Sequence, residues 1–407
     1  MDFTLLEHHV GFCNFFASCI LYLDPPDVKA CRLVSKLWSK TIVEEVWKSK
    51  PGREKLEARL VQRWMTIDPE VKQIGETRCE VKSLYANNKH VFCGQTDGVI
   101  AVFTLEGQWV RDLNHPGGNP DLWRIVGGEN ILAAVAWGWG LPSSVAVTVW
   151  STSKEMEQLH SLNIVGRQPK VNCLDDKVAI LVRKDGGLRS LVVSERGQEG
   201  TWEDKTLGSF SSGSDYQGEM AGEGNLIAVA WGRHCYRQAG VNSLPVVAFW
   251  EGDEKLPEVI LTEDRGCGVA GIVLKESKLV LHLYSGEMRV YLVSLGSGSI
   301  RLDLIKKVAS SRYLAIDSLF SNKIILACCD SSDGISLFEM KRLLSLSSRD
   351  TVSRKLRLPP VFPERVSLNQ TQMVWAQSSL ANASGPSSLY MRDFWMGKDK
   401  PDEADQE

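Results

Sequence analysis

Seven times along this chain the same phrase recurs: a polar turn, an apolar run, a connector and a second apolar run. The copies read "NNKHVFCGQTDGVIAVFTL", "GGENILAAVAWGWGLPSSVAVTVW", "LDDKVAILVRKDGGLRSLVV", "GEGNLIAVAWGRHCYRQAGVNSLPVVAFW", "KESKLVLHLYSGEMRVYLV", "SNKIILACCDSSDGISLFEM" and "NQTQMVWAQSSLANASGPSSLYMRDFW". Their first runs begin near Val91, Ile131, Val178, Leu226, Leu279, Ile324 and Met373, at steps of 40 to 53 residues. The runs are too short and too rich in β-branched residues for helices, so each phrase reads as a set of strands.

A period in the forties built from short strands implies radial repetition, each repeat a four-stranded antiparallel blade. The fold class expected is therefore mainly β, a seven-bladed β-propeller preceded by a small N-terminal α-helical module. Strands covered on both faces by neighbouring blades read as unbroken Val, Ile, Leu and Ala. The pentapeptide "AVAWG" occurs twice, at Ala134–Gly138 and Ala228–Gly232, which implies equivalent packing places two blades apart. Asp97-Gly98, Asp185-Gly186, Ser285-Gly286 and Asp333-Gly334 stand between the runs as hairpin turns.

With 407 residues the chain can bury a large repetitive core. A formal charge of −3 gives no electrostatic reason to expect nucleic acid or an anionic membrane as partner. Ten cysteines are scattered, mostly in apolar surroundings and without a C-x-x-C pair, and read as reduced thiols of a cytoplasmic or nuclear protein. The apolar stretch Val10 to Leu23 follows Asp2 and Glu7, no basic residue and no small-x-small site, so a buried helix is expected there in place of a leader.

Ahead of the repeats the character changes. Between Lys29 and Arg63 ten basic residues face four acidic ones, with apolar residues at helical spacing. Pro25-Pro26 would end a first helix, Asp27 would cap the next, and Leu33, Val34, Leu37 and Trp38 would give that helix an apolar stripe. Leu56, Leu60 and Trp64, at steps of four, predict a connecting helix over 51–64. The expected organisation is a helical module over 1–50, a connector over 51–70, the repeats over 71–397 and an acidic tail over 398–407. The last repeat lacks an outer strand, which "VKQIGET" (Val71 to Thr77) is expected to supply.

The repeats resemble the WD-repeat propeller family, in degenerate form: Trp150 is followed by Ser151, Trp250 by Glu251 and Trp395 by Met396, and "LNHPGG" is similar to the family's Gly-His turn. The segment "ILYLDPPDVKACRLVSKLWSKTIVEEVWKS" resembles the F-box, on Leu23-Asp24, Asp27-Val28, Val34-Ser35-Lys36, Trp38 and Trp47. An F-box followed by a propeller implies the substrate receptor of an SCF-type, cullin-based ubiquitin ligase. That resemblance assigns adaptor contacts to Ile20, Leu23, Pro25, Leu33, Val34, Leu37, Trp38 and Trp47. It implies a subunit without chemistry of its own, joined through the adaptor to a cullin.

Three connectors between second and third strands are enlarged, Trp137 to Ser144, Gly232 to Pro245 and Ser378 to Ser388. Arg233, His234, Tyr236 and Arg237 in the second suit an acidic or phosphorylated protein substrate, and Trp139 in the first is a candidate apolar anchor. Neither metal nor cofactor is expected, because no H-E-x-x-H, G-x-S-x-G, P-loop or zinc spacing occurs. Two other readings stand beside the ligase receptor. One is an interaction scaffold with a relict F-box, since Gly11-Phe12 stands where the family has Leu-Pro. The other is a secreted propeller hydrolase cleaved ahead of the helical segment.

Overall fold

The structure is a computed structural model. It describes residues 15–16, 19–20, 23, 31, 34–43 and 50–394, apart from 116–121, 129, 138–143, 154, 175–176, 185–187, 198, 212–215, 234–243, 262–267, 284, 310–318, 322–324, 331–333, 346–352, 357–364, 369–371 and 379–384. Two compact units result, one of residues 72–391 and one that joins 1–71 to 392–407.

In the smaller unit, α1 spans Lys36–Thr41 and α2 spans Lys50–Thr66. The expected single helix from Asp27 through Trp38 is interrupted: Cys31 is helical, but Val34 and Ser35 are not. Val34 lies in a turn and is 62% exposed, and Ser35 is extended at φ −153° with its hydroxyl accepting from the Trp38 amide at 3.1 Å. Ser35 caps α1, because its oxygen accepts from an amide that would otherwise lack a partner; Asp27 lies outside the described residues. The connecting helix is observed, with Leu60 and Trp64 buried. Trp64 stacks on Phe394 at 3.8 Å, and the Phe394 carbonyl accepts from Arg63 Nε at 2.8 Å. Arg392 pairs with Asp68. Residues 392–394 are thus packed against the end of α2 and the segment that follows it.

The larger unit starts with β1 (Lys72–Glu76). Blade 1 is β2 (Val81–Ala86), β3 (His90–Gln95), β4 (Val99–Thr104) and β5 (Trp109–Asn114). Blade 2 is β6 (Leu122–Gly127), β7 (Ile131–Trp137), β8 (Ser144–Ser151) and β9 (Gln158–Val165). Blade 3 is β10 (Arg167–Leu174), β11 (Lys177–Arg183), β12 (Leu188–Arg196) and β13 (Trp202–Ser211). Blade 4 is β14 (Tyr216–Glu223), β15 (Leu226–Arg233) and β16 (Val246–Glu251), with β17 (Glu254–Lys255) and β18 (Val259–Ile260) sharing its outer edge around Pro257. Blade 5 is β19 (Val269–Lys275), β20 (Lys278–Leu283), β21 (Glu287–Gly296) and β22 (Ser299–Ala309). Blade 6 is β23 (Leu319–Ser321), β24 (Ile325–Asp330), β25 (Gly334–Glu339) and β26 (Ser353–Leu356), with α3 (Met340–Leu343) before its last strand. Blade 7 is β27 (Arg365–Leu368), β28 (Gln372–Ser378) and β29 (Ser387–Asp393), completed by β1.

All strand pairs are antiparallel, and the seven sheets follow the seven phrases of the sequence. The first strand of each blade meets the first strand of the next, β2 to β6, β10, β14, β19, β23, β27 and back to β2, so the ring closes. As expected, β1 supplies the missing outer strand by pairing with β29, Gln73 opposite Tyr390. Two of the expected turn glycines, Gly98 and Gly286, have φ of 81° and 79°, whereas Gly334 begins β25 opposite Asp330 and Gly186 lies outside the described residues.

Apolar clusters lie between blades, not within them. Val135, Val147 and Val149 of blade 2 pack with Val171, Val178 and Ile180 of blade 3, and Trp231 and Trp250 of blade 4 pack with Leu181, Leu191 and Phe210 of blade 3. This explains the unbroken apolar runs: Ile131 to Ala136 are each at most 1% exposed.

The twin pentapeptides correct one expectation. Both lie in second strands, but Leu132 pairs with Trp150 while Ile227 pairs with Trp250, so Ala134 corresponds to Val229 and the two copies are out of step by one residue. Their faces are exchanged: Ala134 and Ala136 pack toward the preceding blade, Ala228 and Ala230 toward the following one. A one-residue slip normally exposes a strand's apolar face. Here both faces are dry, so the identical letters do not require identical places.

Closure makes a close approach testable. Gly107, in the turn after β4 at φ +88°, would place a Cβ 1.5 Å from the Ile74 carbonyl oxygen of β1. Gly107→Ala is expected to cost about 2 kcal/mol or more, read as a lower urea midpoint; an unchanged midpoint would contradict this packing of β1 on blade 1.

Candidate functional site

The connectors from second to third strands open on one face of the ring, together with the starts of the innermost strands. Arg233 ends β15 opposite Tyr216, but its side chain, and all of Trp139, His234, Tyr236 and Arg237, lie outside the described residues. Of the anticipated adaptor set, Ile20 is 1% exposed and Val34 is 62% exposed. Leu23 is half-buried and its carbonyl accepts from Arg59. Trp38 is half-buried with its ring 4.2 Å from that of Phe16. Leu37 lies in α1 with its side chain outside the described set, as are Pro25, Leu33 and Trp47 entirely.

The innermost strands enclose an axial cavity of about 370 Å³ lined by Ser83, Tyr85, Arg124, Asn172 and Ser367 among apolar neighbours. Most of its hydroxyls tie blade to blade. Ser83 Oγ accepts from the Ile125 amide at 2.8 Å, Ser367 Oγ accepts from the Ala86 amide at 2.9 Å, and the Tyr85 hydroxyl donates to the Gly128 carbonyl at 3.1 Å. Burial pushes the Cys173 thiol up to about 12, so it carries no thiolate at neutral pH. The cavity wall is chiefly a fastening between blades.

Charge is concentrated on the connector face at blade 3. Arg167, Lys170, Arg183, Lys184 and Arg189 stand at strand ends there, while Glu219 of blade 4 approaches Lys170 Nζ at 2.8 Å. Arg189 is 2% exposed. Burial chiefly, and then repulsion from Arg183, lower its pKa to about 10, with Glu219 acting in the opposite direction. The sequence contains these residues as "GRQPK" and "VRKDGGLR", but only strand register brings them together.

Ser194 Oγ donates to Asp204 Oδ1 at 2.6 Å, and His160 Nε2 meets the same oxygen at 2.9 Å. Serine hydroxyl and imidazole thus both bond to one carboxylate oxygen, unlike the serine–base contact that activates a nucleophile. Among the described residues no group of three His, Cys, Asp or Glu side chains could hold a metal ion.

Two histidines are fixed within the ring. His115, from "LNHPGG", lies 3.2 Å from Thr148 Oγ1 and edge-on to Trp150 at 6.3 Å, linking the end of blade 1 to blade 2. Burial lowers its pKa to about 4, partly offset by the Ala146 backbone. His282 at the end of β20 is fully buried, and burial lowers it to about 4 as well.

No protein-family profile and no curated protein sequence matches the chain. Solved structures do resemble it. The crystal structure of the mitotic checkpoint complex aligns at a TM-score of 0.50 and 12% identity over 80% of this chain and 94% of that one. The Dos1 propeller aligns at 0.47 and 9% identity over 77% and 78%, and the computationally designed Ika8 protein at 0.45 and 14% over 78% and 99%. The fold is a seven-bladed β-propeller. At these identities the likeness bears on architecture alone.

The buried histidines give this propeller a defined pH response. Each binds its proton better in the unfolded chain, at about 6.5, than in the fold, at about 4. Stability is therefore full above pH 6.5 and falls as pH drops toward 4, by on the order of 3 kcal/mol per histidine. Urea melts at pH 7.5 and 4.5 should show His282→Leu narrowing that difference relative to the unaltered chain. An equal difference in both would show that His282 is not held neutral.

Proposed function

We propose that the chain is a protein-recognition subunit of an SCF-type ubiquitin ligase, its helical unit docking on the adaptor and its propeller holding a protein substrate. The observation that carries this reading is the surface of the helical unit. Phe15 is 67% exposed and Val34 62% exposed, while Phe16, Ile20, Ile42 and Trp64 supply a separate buried interior. Large apolar side chains left in water beside a packed core are what a docking surface requires. Val34 also belongs to the residues that the F-box resemblance assigns to adaptor contact.

In this role the receptor performs no bond chemistry. Tethering raises the concentration of substrate lysines near the ubiquitin-charged enzyme, and affinity and geometry are all that the subunit contributes. The cytoplasm or nucleus is the corresponding site of action.

A second reading, an interaction scaffold without a ligase role, is favoured by Ile20, which at 1% exposure is spent inside the unit and not offered to an adaptor. The two readings part on one experiment. Affinity purification of the full chain from cells should recover the adaptor and a cullin, and Val34→Asp should reduce that recovery at least tenfold, since it places a charge in an apolar contact. Absence of adaptor from the unaltered purification would leave the scaffold.

A further inference from the structure

The chain passes between the two units twice, at Val71–Lys72 and at Met391–Arg392. Strand register sets these crossings side by side, because Lys72 opens β1 and is paired with Met391 of β29. β29 spans Ser387–Asp393 and so continues across the division. The strand pair that closes the ring therefore ends, on this side, in the helical unit.

Taken alone, that strand pair is a weak closure. β1 is five residues long and forms the edge of its sheet, paired with β29. Its pairing shifts register between Gln73 and Gly75, and such an irregularity interrupts the ladder. Short edge strands fray from an end that nothing holds. Here the end is held on both chains. Beyond Met391, Arg392 is buried and pairs with Asp68, the Phe394 carbonyl accepts from Arg63 Nε at 2.8 Å, and the buried Phe394 ring stacks on Trp64 at 3.8 Å. Ahead of Lys72, the Ile67 amide donates to the Arg63 carbonyl at 2.9 Å, and Ile67 and Pro69 are buried. Arg63 and Trp64 belong to the end of α2, so one helix end secures both strands. Peeling residues 392–394 away would uncover two aromatic rings and give up a hydrogen bond and an ion pair.

We infer that the helical unit is the clasp of the propeller: the end of α2 locks the adjoining ends of β1 and β29, and the closed ring depends on that lock. Coupling of this kind is reciprocal. A change that loosens the end of α2 loosens β1, and a change on the ring side of the seam loosens α2. The clasp acts whatever the helical unit binds, so it is separate from the ligase reading.

Hydrogen exchange of the full chain, read by mass spectrometry on peptides, tests the clasp from both sides. Phe394→Ala should speed exchange over Lys72–Glu76 and Ser387–Met391 about tenfold, together with the end of α2, and leave β11 and β15 of blades 3 and 4 unchanged. Asp68→Asn removes the exposed partner of the Arg392 pair and should act in the same direction by about threefold. It carries the test should Phe394→Ala not fold by circular dichroism. On the ring side, Ser387→Ala takes away the acceptor of the Val81 amide, 3.0 Å away, and should speed exchange over Trp64 to Val71 as well as at β1. A seam that keeps the rate of the unaltered chain when the end of α2 is loosened would overturn the clasp. So would an α2 end that keeps its rate when Ser387→Ala has loosened β1. Equal acceleration of β11 and β15 would show a general loss of stability and no clasp.

Discussion

The ring holds because its two ends are stitched to each other. At the seam β1 pairs with β29, the Thr77 amide donates to the Ser387 carbonyl at 2.9 Å, the Ser387 amide donates to Thr77 Oγ1 at 3.1 Å, and the Val81 amide donates to Ser387 Oγ at 3.0 Å. Ser387 is fully buried, so these bonds form away from water and their loss would leave unsatisfied polar groups. Without the seam, blade 7 would present an open edge and blade 1 an uncovered face. With it, Ile74, Leu389 and Met391 pack against Val81, Leu84 and Phe103, making the closing interface as apolar as the others.

Given closure, stability comes from dry interfaces that are tolerant in detail. Each interior strand is pressed on both sides, which is why a one-residue slip between the two "AVAWG" copies is harmless here and would be ruinous in a sheet with one wet face. Polar groups of the innermost strands serve mainly to fasten neighbours, as Ser83, Tyr85 and Ser367 do.

The architecture was legible because a propeller writes its period directly into the sequence. The seven phrases, the hairpin glycines and the borrowed strand near Val71 to Thr77 could each be read from local pattern. Whatever depends on register could not. The offset of the pentapeptides is set by one additional alanine in blade 2, and the split edge of blade 4 by Pro257. The break ahead of α1 is marked in the sequence by the capping oxygen of Ser35, a signal that the helical spacing of Val34, Leu37 and Trp38 conceals. The positions named for substrate in the long connectors fall outside the described residues.

The central claim is that the N-proximal strand is an integral part of the last blade. Native-state hydrogen exchange of the Lys72–Glu76 amides tests it most directly. The account predicts that the amides donated from β1 to β29 exchange only through global opening, with the same free energy and denaturant dependence as the core amides of β3 and β28. Exchange of β1 by local fraying, orders of magnitude faster and insensitive to denaturant, would show that the ring closes without it.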